Sequence, residues 1–219
     1  MANSTTVREF ILLGLTDNHQ FEVGLFPLLS GIYLLTLIGN MLIIITTLLN
    51  TQLHSPMYFF LRHVAWVDIG YTSTIIPKTL ANIATGSKSI SVAGCKIQSF
   101  IYFVLGTTEF FLLAAMSVDR YVAICNPLHY LTIMNGRNCS VLVLSCWAGG
   151  LSLILVPSLV LFQMPFCGPN IINHFFCDSG PLLKLACGDT RLVELIDFVT
   201  ATVSLLGTLS VNIVSYVKI

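Results

Sequence analysis

The stretch MSVDRYVAICNPLHY, residues 116–130, sets an acid and a base side by side, Asp119 and Arg120, at the end of a long apolar run and then enters a proline-bearing loop. The run behind it, residues 96–122, carries Glu109 as its one interior charge before that pair. A bilayer is crossed by about 20 mostly apolar residues in helical form, so this segment reads as a membrane span. Composition agrees: 55% of residues are hydrophobic and 9% charged, with a mean hydropathy of +0.87, against about a quarter charged in a soluble domain.

Working outward, five stretches are long enough to span, near 24–49, 57–82, 96–122, 138–161 and 195–218. No charge falls between Glu22 and Arg62, so the first two are separated by turn chemistry in LLNTQLHSP, with Pro56 opening the second. Residues 162–194 are too polar and too rich in Gly, Pro and Cys to cross lipid and read as a long extracellular loop. Residues 1–23 read as an extracellular tail. The chain has no internal repeat, so 1–219 is read as a single all-α membrane domain, a polytopic helix bundle.

Ten basic and ten acidic residues cancel, so no net field recruits nucleic acid; the partners expected are the lipid bilayer and ligands of specific sites. With the N-terminus outside, Arg62, Arg120, Arg137 and Lys218 fall inside, and Arg8, Lys78, Lys88, Lys96, Lys184 and Arg191 outside, so the positive-inside rule gives no help. Two other features favour that orientation. Asn3-Ser4-Thr5 is a glycosylation acceptor in a polar tail, where FILLGL is too short for a signal-peptide core. Cys95, Cys167, Cys177 and Cys187 then all face the oxidising side. Four such cysteines allow three pairings that spacing does not rank. His174 and Cys177 stand three apart, yet no second pair with zinc-ligand spacing completes a set.

Asp119-Arg120, at the inner edge, suits an interface anchor in which arginine snorkels and the acid offsets its burial. Deeper, at 1.5 Å per residue, Asn40, Asp68 and Glu109 lie roughly 14, 17 and 20 Å from the inner ends of their helices and share a depth near the midplane. Two carboxylates there repel unless one takes a proton or a cation sits between them. Tyr102, Phe103, Gly106 and Thr107 on the third helix, and Thr200, Ala201 and Ser204 on the fifth, mix aromatic and small polar groups. Such residues suit close helix packing as well as an apolar cavity for a small ligand. No Gly-x-Ser-x-Gly elbow, His-Glu-x-x-His pair or phosphate loop occurs, and an enzyme is not expected. Intramembrane carboxylates also suit a fragment of an ion transporter or channel, and exposed helices suit a regulatory partner of larger receptors.

MSVDRYVAICNPLHY resembles the MAYDRYVAICxPLxY signature of the olfactory receptors, within the rhodopsin-like G-protein-coupled receptors. The likeness runs along the whole chain: GN at 39–40, LHSPMYFFL at 53–61, IPKTL at 76–80, Trp147, HFFCD at 174–178, LLKLAC at 182–187 and SY at 215–216. Ser117-Val118 stands where that family usually has Ala-Tyr. The resemblance implies five helices of a seven-helix receptor fold, with the sixth and seventh absent from these 219 residues. It implies a plasma-membrane receptor, N-terminus extracellular, for a small volatile odorant, coupled to a heterotrimeric G protein of the olfactory stimulatory type. Asp119, Arg120 and Tyr121 would form the coupling switch, Cys95–Cys177 and Cys167–Cys187 the bridges, and Asn40, Asp68 and Glu109 a sodium site, with no other cofactor. Tyr102, Phe103, Gly106, Thr107, Thr200, Ala201 and Ser204 would then contact odorant. The 219 residues alone would be retained in the endoplasmic reticulum and fail to signal.

Overall fold

A computed structural model describes residues 8–16, 19–167 and 169–218. Asn3, the glycosylation candidate, lies outside them. The elements in order are β1 (Glu9–Leu12), α1 (His19–Leu49), α2 (Pro56–Thr85), β2 (Ser89–Ser91), α3 (Val92–Cys125), α4 (Tyr130–Ile133), α5 (Gly136–Gln163), β3 (Ile171–Ile172), α6 (Ser179–Leu185) and α7 (Arg191–Val217).

Four helices, α1, α3, α5 and α7, are long and apolar enough to cross a membrane. The second stretch is helical as read, and its 30 residues are sufficient in length, but it is more polar. Arg62, His63, Asp68, Lys78 and the run Tyr71-Thr72-Ser73-Thr74 lower its hydropathy. Large apolar side chains remain outward on the spans, among them Leu35 at 72% exposure and Leu144 at 67%. Lipid is the solvent that such a surface fits.

Local chemistry fixes the helix ends. Asn135 caps α5, its Oδ1 accepting from the Asn138 N–H at 2.9 Å, which starts the helix at Gly136 rather than at 138. Asn50 accepts from the Gln52 N–H at 3.0 Å and turns the chain into the short 3-10 helix Thr51–Leu53 between α1 and α2. Gly86, at φ +69°, takes the left-handed conformation just past the end of α2.

The chain forms two compact units, each assembled from separate stretches. The first comprises residues 1–35, 71–103 and 154–198. Here the tail is not featureless: β1 is the central strand of a three-stranded sheet, antiparallel to β2 (Phe10↔Ile90) and parallel to β3 (Leu12↔Ile172). Strand alternation turns Phe10 and Leu12 inward, both fully buried in a core with Cys95, Ile172, Cys177 and Leu182. Lys88 ties the tail down, donating to Glu22 Oε1 and to the Leu13 carbonyl, each at 2.7 Å. Residues 162–194 likewise fold, into β3 and α6, rather than running as plain loop.

The second unit comprises residues 36–70, 104–153 and 199–219. Within it α3 and α7 run in the same direction side by side. Thr208 donates to the Phe110 carbonyl at 3.2 Å, Ser117 bonds Asn212 Oδ1, and Arg120 bonds Tyr216. Ser117, the departure from the family signature, thus fastens α3 to α7.

Candidate functional site

At one end of α3 Asp119 and Arg120 make no salt bridge or hydrogen bond to each other, and Arg120 acts on Asp119 through its charge alone. Asp119 is buried at 2% exposure and accepts from the Tyr130 hydroxyl at 2.9 Å, whereas Arg120 is exposed and its Nη1 donates to Tyr216 Oη at 3.0 Å. The Asp119–Arg120 interaction is therefore one of charge without direct contact, for neighbours on a helix point about 100° apart. Each charge meets a tyrosine instead. Burial first, and then the bond to Asp119, raise the Tyr130 phenol above its ordinary value, so it remains a donor through neutral pH. Tyr121 is half-buried beside them. A buried carboxylate held by one phenol and an exposed guanidinium held by another form two separable contacts.

Asn40, Asp68 and Glu109 all belong to the second unit. Asn40 hydrogen-bonds the Asp68 carboxylate, and Glu109 stands close enough to feel its charge. The set offers hard oxygen donors of the kind a small cation takes. Among the described residues no group of three or more His, Cys, Asp or Glu is placed to hold a metal ion. His174 instead accepts from the Phe176 N–H through Nδ1.

The odorant candidates are divided between the units. In the first, Tyr102 lies among rings: Tyr71 at 4.5 Å, Phe176 at 4.7 Å and Phe103 at 5.2 Å between centroids. Neither Tyr71 nor Phe176 is a ligand candidate on the sequence, although the family-like stretches VDIGYTS at 67–73 and HFFCD at 174–178 contain them. In the second unit Thr107, Thr200 and Ser204 are buried and Gly106 is half-buried. Ala201 is exposed, one helical step off the face on which Thr200 and Ser204 lie. That face continues to Thr208, four residues further on and also buried. The Ser204 and Thr108 hydroxyls are buried without a hydrogen-bond partner. Polar atoms left so in an apolar interior are costly, and a ligand that bonds them relieves the cost.

Cys95 is bonded to Cys177 and Cys167 to Cys187, with Cα separations of 5.4 and 5.6 Å. Gln98 braces the first bridge, its Oε1 accepting from the Cys177 N–H at 3.2 Å while its Nε2 donates to the Thr74 carbonyl at 2.9 Å.

The profile of the 7 transmembrane receptor (rhodopsin family) matches residues 39–219. Olfactory receptor 6E1 of Mus musculus is 60% identical over 216 residues, which cover 99% of this chain and 69% of that protein. The chain belongs to the olfactory receptors of the rhodopsin family. Olfactory receptor 2AP1 of Homo sapiens is 51% identical over 99% of this chain and 70% of its own length, and human Olfactory receptor 6C4 is 50% identical over 100% and 71%. Olfactory receptors are membrane-spanning, G-protein-coupled proteins of odorant sensing, not an enzyme class.

Proposed function

We propose that the chain binds a small volatile odorant in the outer half of the membrane, with its N-terminus extracellular and Asn3 glycosylated, and couples to the olfactory stimulatory G protein at the plasma membrane. The observation that carries the coupling is the separation of the two charges at the end of α3, Asp119 on Tyr130 and Arg120 on Tyr216. An exposed guanidinium held by one neutral hydroxyl exchanges partners at little cost, which suits a switch. Tyr121 completes that surface. Odorant contact falls to Gly106, Thr107, Thr200 and Ser204 of the second unit, with the unpaired Ser204 hydroxyl offered to a polar group of the ligand.

The test is a cyclic-AMP reporter with surface staining. A polypeptide of these 219 residues, which correspond to 69% of the mouse relative, is expected to be retained in the endoplasmic reticulum and silent. Joined to the relative's remaining segment, it is expected to reach the surface and respond to odorant. No response from the joined form to any odorant that activates the mouse relative, at equal surface level, overturns the reading.

Asn40, Asp68 and Glu109 would hold a sodium ion, which supplies charge compensation between the two acids. Asp68→Asn is then expected to remove a sodium-dependent change in odorant affinity of about fivefold or more. The same change in sodium and choline media with and without Asp68 leaves these residues a packing role only.

A further inference from the structure

A cavity of about 450 Å3 opens in the second unit where α2 and α5 begin, and no part of the odorant or switch reading uses it. Its size falls in the range of small-ligand sites, roughly 300–1,000 Å3. The polar wall is formed by His54, Ser55, Tyr58, Arg62 and Asn135. No carboxylate lines it, so the Arg62 guanidinium brings a positive charge that nothing in the wall neutralises. The Phe59 ring, 5.2 Å from Arg62 Cζ, fixes the direction of that side chain. Pro56 and Gly136, the first residues of two helices of 30 and 28 residues, also line the cavity, and the positive ends of both helix dipoles therefore open on it.

A cation, two helix starts and the Ser55 and Tyr58 hydroxyls around one space favour an anion with many acceptor oxygens, the Asn135 amide being held by the Thr132 carbonyl. The rest of the wall is apolar: Leu53, Leu131 and Met134. Leu131 is 77% exposed, so this apolar side continues onto the outer surface. A site polar at its base and apolar at its rim fits a phosphorylated polyol headgroup whose acyl chains lie in the adjoining leaflet. We infer that this cavity, at the end of the bundle that the proposed orientation makes cytoplasmic, binds the phosphate of a phosphoinositide-type lipid, with Arg62 as its principal contact.

Binding is read directly, so failure of odorant signalling does not affect the result. The form joined to the mouse relative's remaining segment is placed in nanodiscs of neutral phosphatidylcholine, with the Cys95–Cys177 bridge checked by non-reducing peptide mapping. Fluorescent short-chain phosphatidylinositol 4,5-bisphosphate is titrated in. Arg62→Gln, which keeps much of the side chain's length and loses the charge, is expected to weaken binding tenfold or more. Arg137→Gln, exposed and outside the lining, is expected to leave binding within twofold. Phosphatidylserine, which lacks a phosphomonoester, is expected to compete at least tenfold less well. Free inositol trisphosphate competing as well as the lipid would support the phosphate site and assign it to a soluble ligand. Equal binding by wild type and Arg62→Gln, or equal competition by phosphatidylserine, would overturn the inference.

Discussion

In the form joined to the mouse relative's remaining segment, serine at both Cys95 and Cys177 is expected to take surface expression below a tenth of that form's own level and to lower stability by about 4–5 kcal/mol, on the loop-entropy account of a long closed loop. This bridge closes 82 residues of chain, whereas Cys167–Cys187 closes 20, for which the same account gives about 3 kcal/mol. Surroundings widen the difference. Cys95 and Cys177 are fully buried in the core beneath the sheet, with Phe10, Leu12 and Leu182 in the same cluster, while Cys167 is exposed. Without the first bridge the tie that remains there is Gln98, which accepts from the residue 177 backbone N–H and donates to the Thr74 carbonyl. Removing the second bridge leaves that core in place. Thermal unfolding of the two double-serine variants, with surface staining, checks the order. Equal losses from the two pairs would show that burial and loop length do not set the cost.

Helix content was legible because apolar runs of this length admit little else, and each of the five stretches is a helix. The ends were less legible, since caps and side-chain ties set them. Helix α1 starts at His19 rather than near 24, and Glu22, in its first turn, is held by Lys88 across more than sixty residues of sequence. Three of the lysines show why charge counting gives no orientation. Lys78 donates to the Ser89 carbonyl, Lys88 to Leu13 and Glu22, and Lys96 to Phe162, so these charges serve the packing of the first unit. The sheet was illegible for another reason. Its central strand is four residues long, and its partners stand near residues 90 and 171, so no local pattern announces the pairing. At the candidate site the sequence shows residue types and the fold supplies their partners. A helix rotates neighbours about 100° apart, so Asp119 and Arg120 face different partners, and Ala201 leaves the stripe that Thr200 and Ser204 share. The tyrosines that the two charges meet, Tyr130 and Tyr216, stand eleven and ninety-six residues away.

Close helix approach carries the other large effect. A Cβ built on Gly150 of α5 would lie 3.1 Å from the Thr108 backbone nitrogen and 3.2 Å from the Val104 carbonyl oxygen, and would strike Thr108 Oγ1. Neither backbone atom can turn aside as a side chain does, and Thr108 is itself fully buried. Helices in lipid gain little from burying apolar surface against each other, so van der Waals contact at such small residues holds α3 to α5 in the second unit. Gly150→Ala is therefore expected to destabilise by about 1–3 kcal/mol, as overpacking does, and Gly150→Leu by more, with loss of surface expression in the joined form. Gly207→Ala is the control, because a Cβ there meets nothing within 4 Å and alanine is the better helix former. Thr108→Ala in the Gly150→Ala background should restore part of the loss, since it removes the hydroxyl that the new methyl strikes. The restoration should stay partial, because the Val104 carbonyl and the Thr108 backbone nitrogen remain. Thermal midpoints of the four variants in nanodiscs decide it. A Gly150→Ala midpoint equal to that of Gly207→Ala would mean that the helices separate at negligible cost, and that their contact does not hold the unit together.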